Sequence, residues 1–458
     1  MKLKLFTHRI LSRAVKALTH LRRRSSTDHL TREQEGDRRR IFKSIGMIAS
    51  ANLLATAFAV VGSFVQAHFI APDDLGFVRK YSIVGGYAIF LSFGLFNILQ
   101  REYPVLMGKG EEDRARRAAA IGQTWCLLAS IVVCSVLAVL SLIDFLHGRW
   151  REGCAWFIQV VAVWSILYGG YLTTTFRSGH EFERYAKGSL LSSVTGLAVL
   201  PLFVVWPFSA LVLRSVAGSI VMSTYLHRMR PVKVGFLLPL MEFFDLVKRG
   251  MRLFVGTYIR YHFWPTVELW LILWMAGDEG VGLFIFAIMI CEGGLQLTTA
   301  INQVYSPRIA QRFGETGSLA ACLRYSLKPT VINTMIALVI TGTIWVVFPP
   351  VVEMFFPKYM AAIPIVRVLA FDIIVVGLSL PVFMVQVLED YATQTAAAVI
   401  GIGMLAGVAY MLHQAGMGIM SVVWGTIAGR FTFVAISLLS LGMRLGREPL
   451  SPVSETIA

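Results

Sequence analysis

Residues 118–143 read AAAIGQTWCLLASIVVCSVLAVLSLI, 26 positions without one charged side chain. An α-helix rises 1.5 Å per residue, so about 20 apolar residues cross the roughly 30 Å of hydrocarbon in a bilayer. This run meets that length with residues to spare. The rest of the chain resembles it, with 56% apolar residues and a mean hydropathy of +0.66 over 458 residues. Such a composition exceeds what a water-exposed surface tolerates, and lipid is the solvent it implies. The same length requirement places twelve candidate spans near 45–70, 78–101, 118–143, 154–176, 187–206, 208–227, 250–275, 281–304, 328–348, 365–388, 394–413 and 418–442. The expected fold is an all-α membrane protein of about twelve transmembrane helices joined by short loops.

The formal net charge is +15. Nucleic acid needs a contiguous basic face on a soluble domain, and here the charge lies in short inter-helix segments, so no nucleic-acid partner is expected. Most of the 42 lysines and arginines fall on one side of the expected spans. The opposite loops hold Arg79, Lys80, Arg149, Arg151, Lys358 and Arg367. Because positive loops stay cytoplasmic, both termini are expected in the cytoplasm. Arg214, Arg260 and Arg430 remain inside the membrane. The five cysteines show neither a CxxC pair nor metal-ligand spacing and read as small packing residues, with no metal site or cofactor expected.

Residues 1–43 place Leu3, Phe6, Ile10, Ala14, Ala17 and Leu21 on one helical face and His8, Arg9, Arg13 and Lys16 on the other, with no acid before Asp28. This suits a basic amphipathic extension lying on the anionic cytoplasmic leaflet. An organellar transit peptide and a solvated basic tail are the competing readings. The expected organisation is therefore 1–43 extension, 44–227 first lobe, 228–249 cytoplasmic linker, 250–443 second lobe and 444–458 cytoplasmic tail.

The two lobes follow from an internal repeat. Ala71-Pro72-Asp73-Asp74-Leu75-Gly76-Phe77 recurs about 204 residues later as Ala276-Gly277-Asp278-Glu279-Gly280-Val281-Gly282-Leu283-Phe284. Gly94-Leu95 recurs as Gly294-Leu295, Tyr103-Pro104 as Tyr305 and Pro307, and Gly110-Glu111 as Gly314-Glu315. Each copy holds six spans, so both enter from the same side, and the axis relating them runs along the membrane normal. The competing reading is that any two helical hairpins share small and acidic turn residues.

A polar side chain at bilayer depth needs a partner or a wet cavity, a charge costing about 2.5–3.5 kcal/mol on insertion scales. In span 1, Asn52, Thr56, Ala59, Ser63 and Gln66 share one face. Span 2 adds Ser92, Asn97 and Gln100. Span 8 carries Glu292, Gln296, Thr299 and Gln303 beside Gly293-Gly294, where the helix can bend. In span 7, Arg260 sits near the bilayer middle among Tyr258, Tyr261, His262, Trp264 and Trp270, with Glu268 eight residues on and Pro265 between them as an expected kink. A guanidinium among aromatic rings suits a phosphate or diphosphate attached to sugar. The competing role for Arg260 is an ion pair with Glu292 that fastens spans 7 and 8. His262 alone reads more often as a packing residue. Arg430 and Asp372 are expected to pair as a structural unit, and Arg214 has no partner evident in the sequence.

These residues resemble a known family. Phe69-Ile70-Ala71-Pro72-Asp73-Asp74-Leu75-Gly76-Phe77, Arg101-Glu102-Tyr103-Pro104 with Gly108-Lys109-Gly110, Phe176-Arg177-Ser178-Gly179 with Phe182, and Val247-Lys248-Arg249-Gly250 are similar to Wzx-type polysaccharide flippases of the multidrug/oligosaccharidyl-lipid/polysaccharide (MOP) exporter superfamily. The resemblance covers about residues 44–443. It implies two pseudo-symmetric six-helix lobes of the MOP/MATE type, and an undecaprenyl-diphosphate-linked oligosaccharide turned across the bacterial inner membrane by alternating access. It further implies coupling to an ion gradient such as Na+ or H+, and a cavity lined by spans 1, 2, 7 and 8. Membrane lipids, a polysaccharide polymerase and its co-polymerase are the partners it suggests.

Candidate substrate-binding residues are accordingly Arg260, His262, Trp264, Asn52, Gln66, Asn97, Gln100 and Gln296, and candidate ion-coupling residues are Glu268, Glu292 and Asp372. The alternative is an ion-coupled drug or metabolite antiporter, which would place deep carboxylates in the first half, where spans 1 to 6 hold none. An enzyme needs an acid-rich catalytic loop at the membrane surface, and no expected external loop is long enough to build one.

Overall fold

The computed structural model describes residues 54–446, apart from Thr56, His180 and Glu389. Asn52, Thr56, the expected extension over 1–43 and the end of the expected tail lie outside the described residues. Every described element is a helix. In chain order they are α1 (Ala57–Phe69), α2 (Pro72–Ser92), α3 (Leu95–Gly108), α4 (Glu112–Leu146), α5 (Trp150–Ser178), α6 (Phe182–Val204) and α7 (Pro207–Arg228). Then come α8 (Leu240–Tyr258), α9 (Trp264–Thr316), α10 (Leu319–Phe355), α11 (Pro357–Leu378), α12 (Phe383–Val387), α13 (Tyr391–Gln414) and α14 (Ile419–Leu445).

Among the described residues, nine helices are long and apolar enough to cross a membrane, or ten when α2 and α3, bent by 42° at their junction, form one span. One of the nine, Phe254–Thr316, contains the break at Gly277, and α1 is apolar but shorter. The opening run of sequence lies in α4, where Val132, Val136 and Val139 are each more than half exposed. Their spacing of four and three sets them on one outward face, which lipid covers.

Several breaks differ from the expected positions. Span 2 is interrupted at Phe93 and Gly94, both in the left-handed region with φ of 46° and 74°. Gly94 is required twice over: a Cβ there would lie 2.5 Å from the Gly250 carbonyl carbon. In span 7 a π-helical turn over Ile259–Phe263 precedes Pro265. The extra residue in that turn frees backbone that proline cannot bond and rotates the following face. At Gly293-Gly294, where the helix could bend, α9 stays helical. Gly294 instead admits Ile373 and Ile340, whose Cδ1 and Cγ2 lie 2.8 and 2.9 Å from where its Cβ would be.

The two copies of the repeated turn pack against each other. A Cβ on Gly76 would fall 1.7 Å from the Asp278 carbonyl oxygen, and one on Gly282 would fall 1.9 Å from the Pro72 carbonyl oxygen. Each glycine thus lets the other copy's backbone touch it, as a two-fold relation requires. Lys80 and Asp278 form an ion pair of 2.7 Å across this seam, and the Tyr359 hydroxyl donates to the Ile70 carbonyl at 3.2 Å. An apolar core of Ile70, Leu75, Val281, Phe284, Phe286 and Phe356 closes that end of the molecule.

Candidate functional site

Each half encloses a cavity with polar side chains on its wall. The larger one, about 500 Å³, belongs to the second half and is walled by α9, α11, α12, α13 and α14, with Arg260 and Tyr261 of the π-helical turn at its head. Thr299 and Gln303 of the expected span 8 stripe line it, joined by Gln386 and Gln394. A second chamber of about 250 Å³ shares Arg260, Tyr261, Ser379 and Phe433 with the first, and reaches Trp264, Asp372 and Arg430. Arg260 therefore stands where the two chambers meet.

Its guanidinium carbon lies 4.2 Å from the centre of the Phe433 ring and 5.1 Å from that of Tyr261. Aromatic faces attract a cation without neutralising it. Among the described residues Arg260 makes no ion pair, so the expected competing contact with Glu292 is not made. The donors of this guanidinium are left for an anion.

Arg430 is arranged in the opposite way. Its guanidinium bonds Asp372 through one amino group and Glu268 through the other, the latter at 3.3 Å to Oε1 and 3.5 Å to Oε2. Glu268 is 1% exposed and Asp372 4%, so both carboxylates depend on this one cation. The pairing of Arg430 with Asp372 is present, and Glu268 completes it as a third member. Glu268 lies eight residues from Arg260, yet the helix turns it toward α14 instead.

The other expected residues take varied positions. Trp264 is 4% exposed, with its ring pressed against Gly401 and Gly429, whose Cβ positions would fall 2.5 and 2.9 Å from it. It forms wall more than open face. His262 stacks on Tyr258 at 6.2 Å between ring centres and lines neither chamber. Glu292 and Gln296 are exposed on α9, outside the linings of both chambers. Asn97 and Gln100 likewise line neither.

Gln66 lies in the first half, where its side chain accepts a hydrogen bond from Arg214. There a third cavity of about 270 Å³ is lined by Arg79 and Arg214 together with serines from α6 and α7. Arg79 was expected in an external loop; it projects from α2 into this cavity, because α2 begins at Pro72 and carries the helix past the assumed boundary. The signal for it was the i, i+3, i+4 pattern of Leu75, Val78 and Arg79, which already runs helical before position 80.

A family model described as "Polysaccharide biosynthesis protein" matches residues 41–313, more than half of the chain. The chain belongs to that family. No curated protein matches it. Among solved structures, an inward-facing multidrug resistance MATE family transporter of the MOP superfamily is similar at a TM-score of 0.71 and 16% identity, over 86% of this chain and 95% of that one. An outward-facing structure of a multidrug resistance MATE family transporter gives a TM-score of 0.59 at 17% identity, over 88% and 96% of the two chains. A MOP superfamily transporter from Pyrococcus furiosus, titled for the reverse polarity of its binding pocket, gives 0.60 at 16% identity, over 88% and 96%. This member of the polysaccharide biosynthesis family thus has the two-lobed, all-helical MOP/MATE transporter fold and is a multi-pass membrane protein.

Proposed function

We propose that this protein turns an undecaprenyl-diphosphate-linked oligosaccharide across the bacterial inner membrane by alternating access, with both termini cytoplasmic and the Ala71–Gly76 seam on the external side. The observation that carries the reading is Arg260: an ion without a described counter-ion, set over two aromatic rings at the junction of two chambers, the larger of them lined by Thr299, Gln303, Gln386 and Gln394. Bringing a charge to that depth is unfavourable unless a ligand or water completes its shell. A diphosphate supplies two negative groups to a bidentate donor, and the amides of Gln303, Gln386 and Gln394 suit sugar hydroxyls. The polyprenyl tail stays in lipid. An apolar cleft of about 280 Å³ between α1, α9 and α10, lined by Val60, Phe64, Met289 and Ile344, offers it a path beside the polar route.

Membership of the polysaccharide biosynthesis family and the transporter fold support this direction of substrate, and we read the protein as a transporter. The drug or metabolite antiporter is the weaker reading, since the two most buried carboxylates, Glu268 and Asp372, are already held by Arg430. Arg260→Ala should abolish surface glycan while the protein stays in the membrane at normal abundance, and Arg260→Lys should retain part of the activity. Glycan export at the wild-type level in Arg260→Ala would remove the diphosphate role.

A further inference from the structure

The cavity of the first half has a chemistry distinct from that of the second, and the carrier-diphosphate reading leaves it unused. Its lining holds Arg79 and Arg214 and no carboxylate. Arg214 donates to the Gln66 side chain and, at 3.5 Å, to the Ala59 carbonyl. Arg79, on the same lining, makes no ion pair among the described residues. Two cations therefore share the lining of one small chamber that holds no carboxylate among the described residues, an arrangement that an entering anion would stabilise.

The serines add direction. Ser192 donates to the Gly218 carbonyl at 2.8 Å, Ser193 to Ser189 at 3.0 Å and Ser215 to Leu211 at 2.8 Å. Each hydroxyl has spent its hydrogen on a helix carbonyl, so what it presents to the cavity is a lone pair. The chamber thus offers charged donors at one place and neutral acceptors at another. A bare inorganic anion or a lipid headgroup phosphate would satisfy the arginines and leave the serine acceptors idle. A sugar ring bearing a carboxylate satisfies both, its acid on the guanidiniums and its hydroxyl hydrogens on the serines. The volume, about 270 Å³, lies just under the ~300 Å³ at which pockets begin to hold drug-sized ligands, and fits one ring better than a chain of them.

We infer that the Arg79–Arg214 cavity is a second recognition site, which takes an acidic sugar residue of the transported glycan while Arg260 takes the diphosphate. This rests on the flippase reading, and the experiment separates the two. Full-length protein in nanodiscs is titrated with methyl glucuronide, methyl glucoside and inorganic phosphate, binding being read by saturation-transfer NMR. Methyl glucuronide should bind, methyl glucoside should bind at least tenfold more weakly, and phosphate should fall between them. Arg79→Gln, which breaks no described ion pair, should weaken methyl glucuronide by about tenfold or more, the loss of one charge-assisted contact. Arg214→Lys should keep most of the binding, and Arg260→Ala should leave it unchanged. Equal binding of glucuronide and glucoside, or unchanged glucuronide binding in a folded Arg79→Gln protein, overturns the inference. Vesicles of phosphatidylglycerol that displace the glucuronide completely would assign the site to a lipid headgroup and overturn it as well. Loss of glycan export in Arg260→Ala with glucuronide binding intact would leave both readings standing, whereas normal export in Arg260→Ala would strike the diphosphate role alone.

Discussion

At the scale of single residues, the membrane arginines divide by what surrounds them. Arg430 has two buried carboxylates, Asp372 and Glu268, and Arg260 has two aromatic rings. Removing the cation from the first group strands two carboxylates in a nearly dry site. Arg430→Met should therefore destabilise the fold by about 3–5 kcal/mol, the range for breaking a buried pair by deleting one partner. The triple variant Arg430→Met, Asp372→Asn, Glu268→Gln removes the whole charge set and should regain most of the thermal stability in detergent, because no unpaired charge is left behind. Equal melting temperatures for the single and triple variants would show that the triad does not hold these helices. If Glu268 also carries a coupling proton, Glu268→Gln should transport without responding to an imposed pH gradient. Only part of this grouping was legible in the sequence. Arg430 and Asp372 stood out as two lone opposite charges in the second half. Glu268 pointed by sequence distance to Arg260, and the π-helical turn at Ile259–Phe263, which sequence periodicity does not reveal, changes the face on which the residues after it emerge. Arg79 was missed for a different reason: the rule that assigns charged residues to loops has no way to see a charge that points sideways into a cavity.

At the scale of elements, the glycines of the repeated turn decide whether the two halves can meet. Gly76 and Gly282 each touch the backbone of the other copy, so a methyl group on either has no space. Backbone cannot yield as a flexible side chain can, and the seam must open. Gly76→Ala and Gly282→Ala should each raise the labelling rate of a cysteine placed at the seam by tenfold or more, whereas Gly108→Ala, where a Cβ meets nothing within 4 Å, should not change it. Unchanged labelling in Gly76→Ala would mean that the contact carries no weight in closing this end. The turn itself was readable because an acidic, glycine-bearing stretch between two apolar runs recurs in order. The conformation at its second copy was not: Gly277 adopts φ 64° and ψ −161°, a region open to glycine alone, and residue type alone does not say which of Gly277, Gly280 and Gly282 takes it. Gly293-Gly294 shows the converse. A glycine pair in an apolar helix permits a bend, but here one member serves close packing against Ile373 and Ile340. Only the neighbours, which lie far away in sequence, decide between those uses.

At the scale of the whole molecule, the halves touch where Gly94 meets Gly250 and Arg249 pairs with Glu102, and again at the repeated turns. The Lys80–Asp278 pair, the Tyr359–Ile70 bond and the shared apolar core gather at the turn end, and the polar chambers with Arg260 lie away from it. In an alternating-access cycle the two lobes exchange one closed end for the other, and a rigid-body motion of this kind has to break the seam as a unit. A reversible clamp tests this. Cysteines replacing Lys80 and Asp278, joined by a bifunctional methanethiosulfonate reagent, would hold the seam shut. The native cysteines offer little background, since four of the five are buried and the fifth is partly so. Glycan translocation should stop on cross-linking and return on reduction, while a cysteine beside Arg260 should stay accessible from the cytoplasmic side throughout. Translocation that continues with the clamp closed would mean that the lobes do not separate at this seam, and the cycle would then have to run through motions inside one half, with Arg260 and its two chambers changing shape while the repeated turns remain in contact.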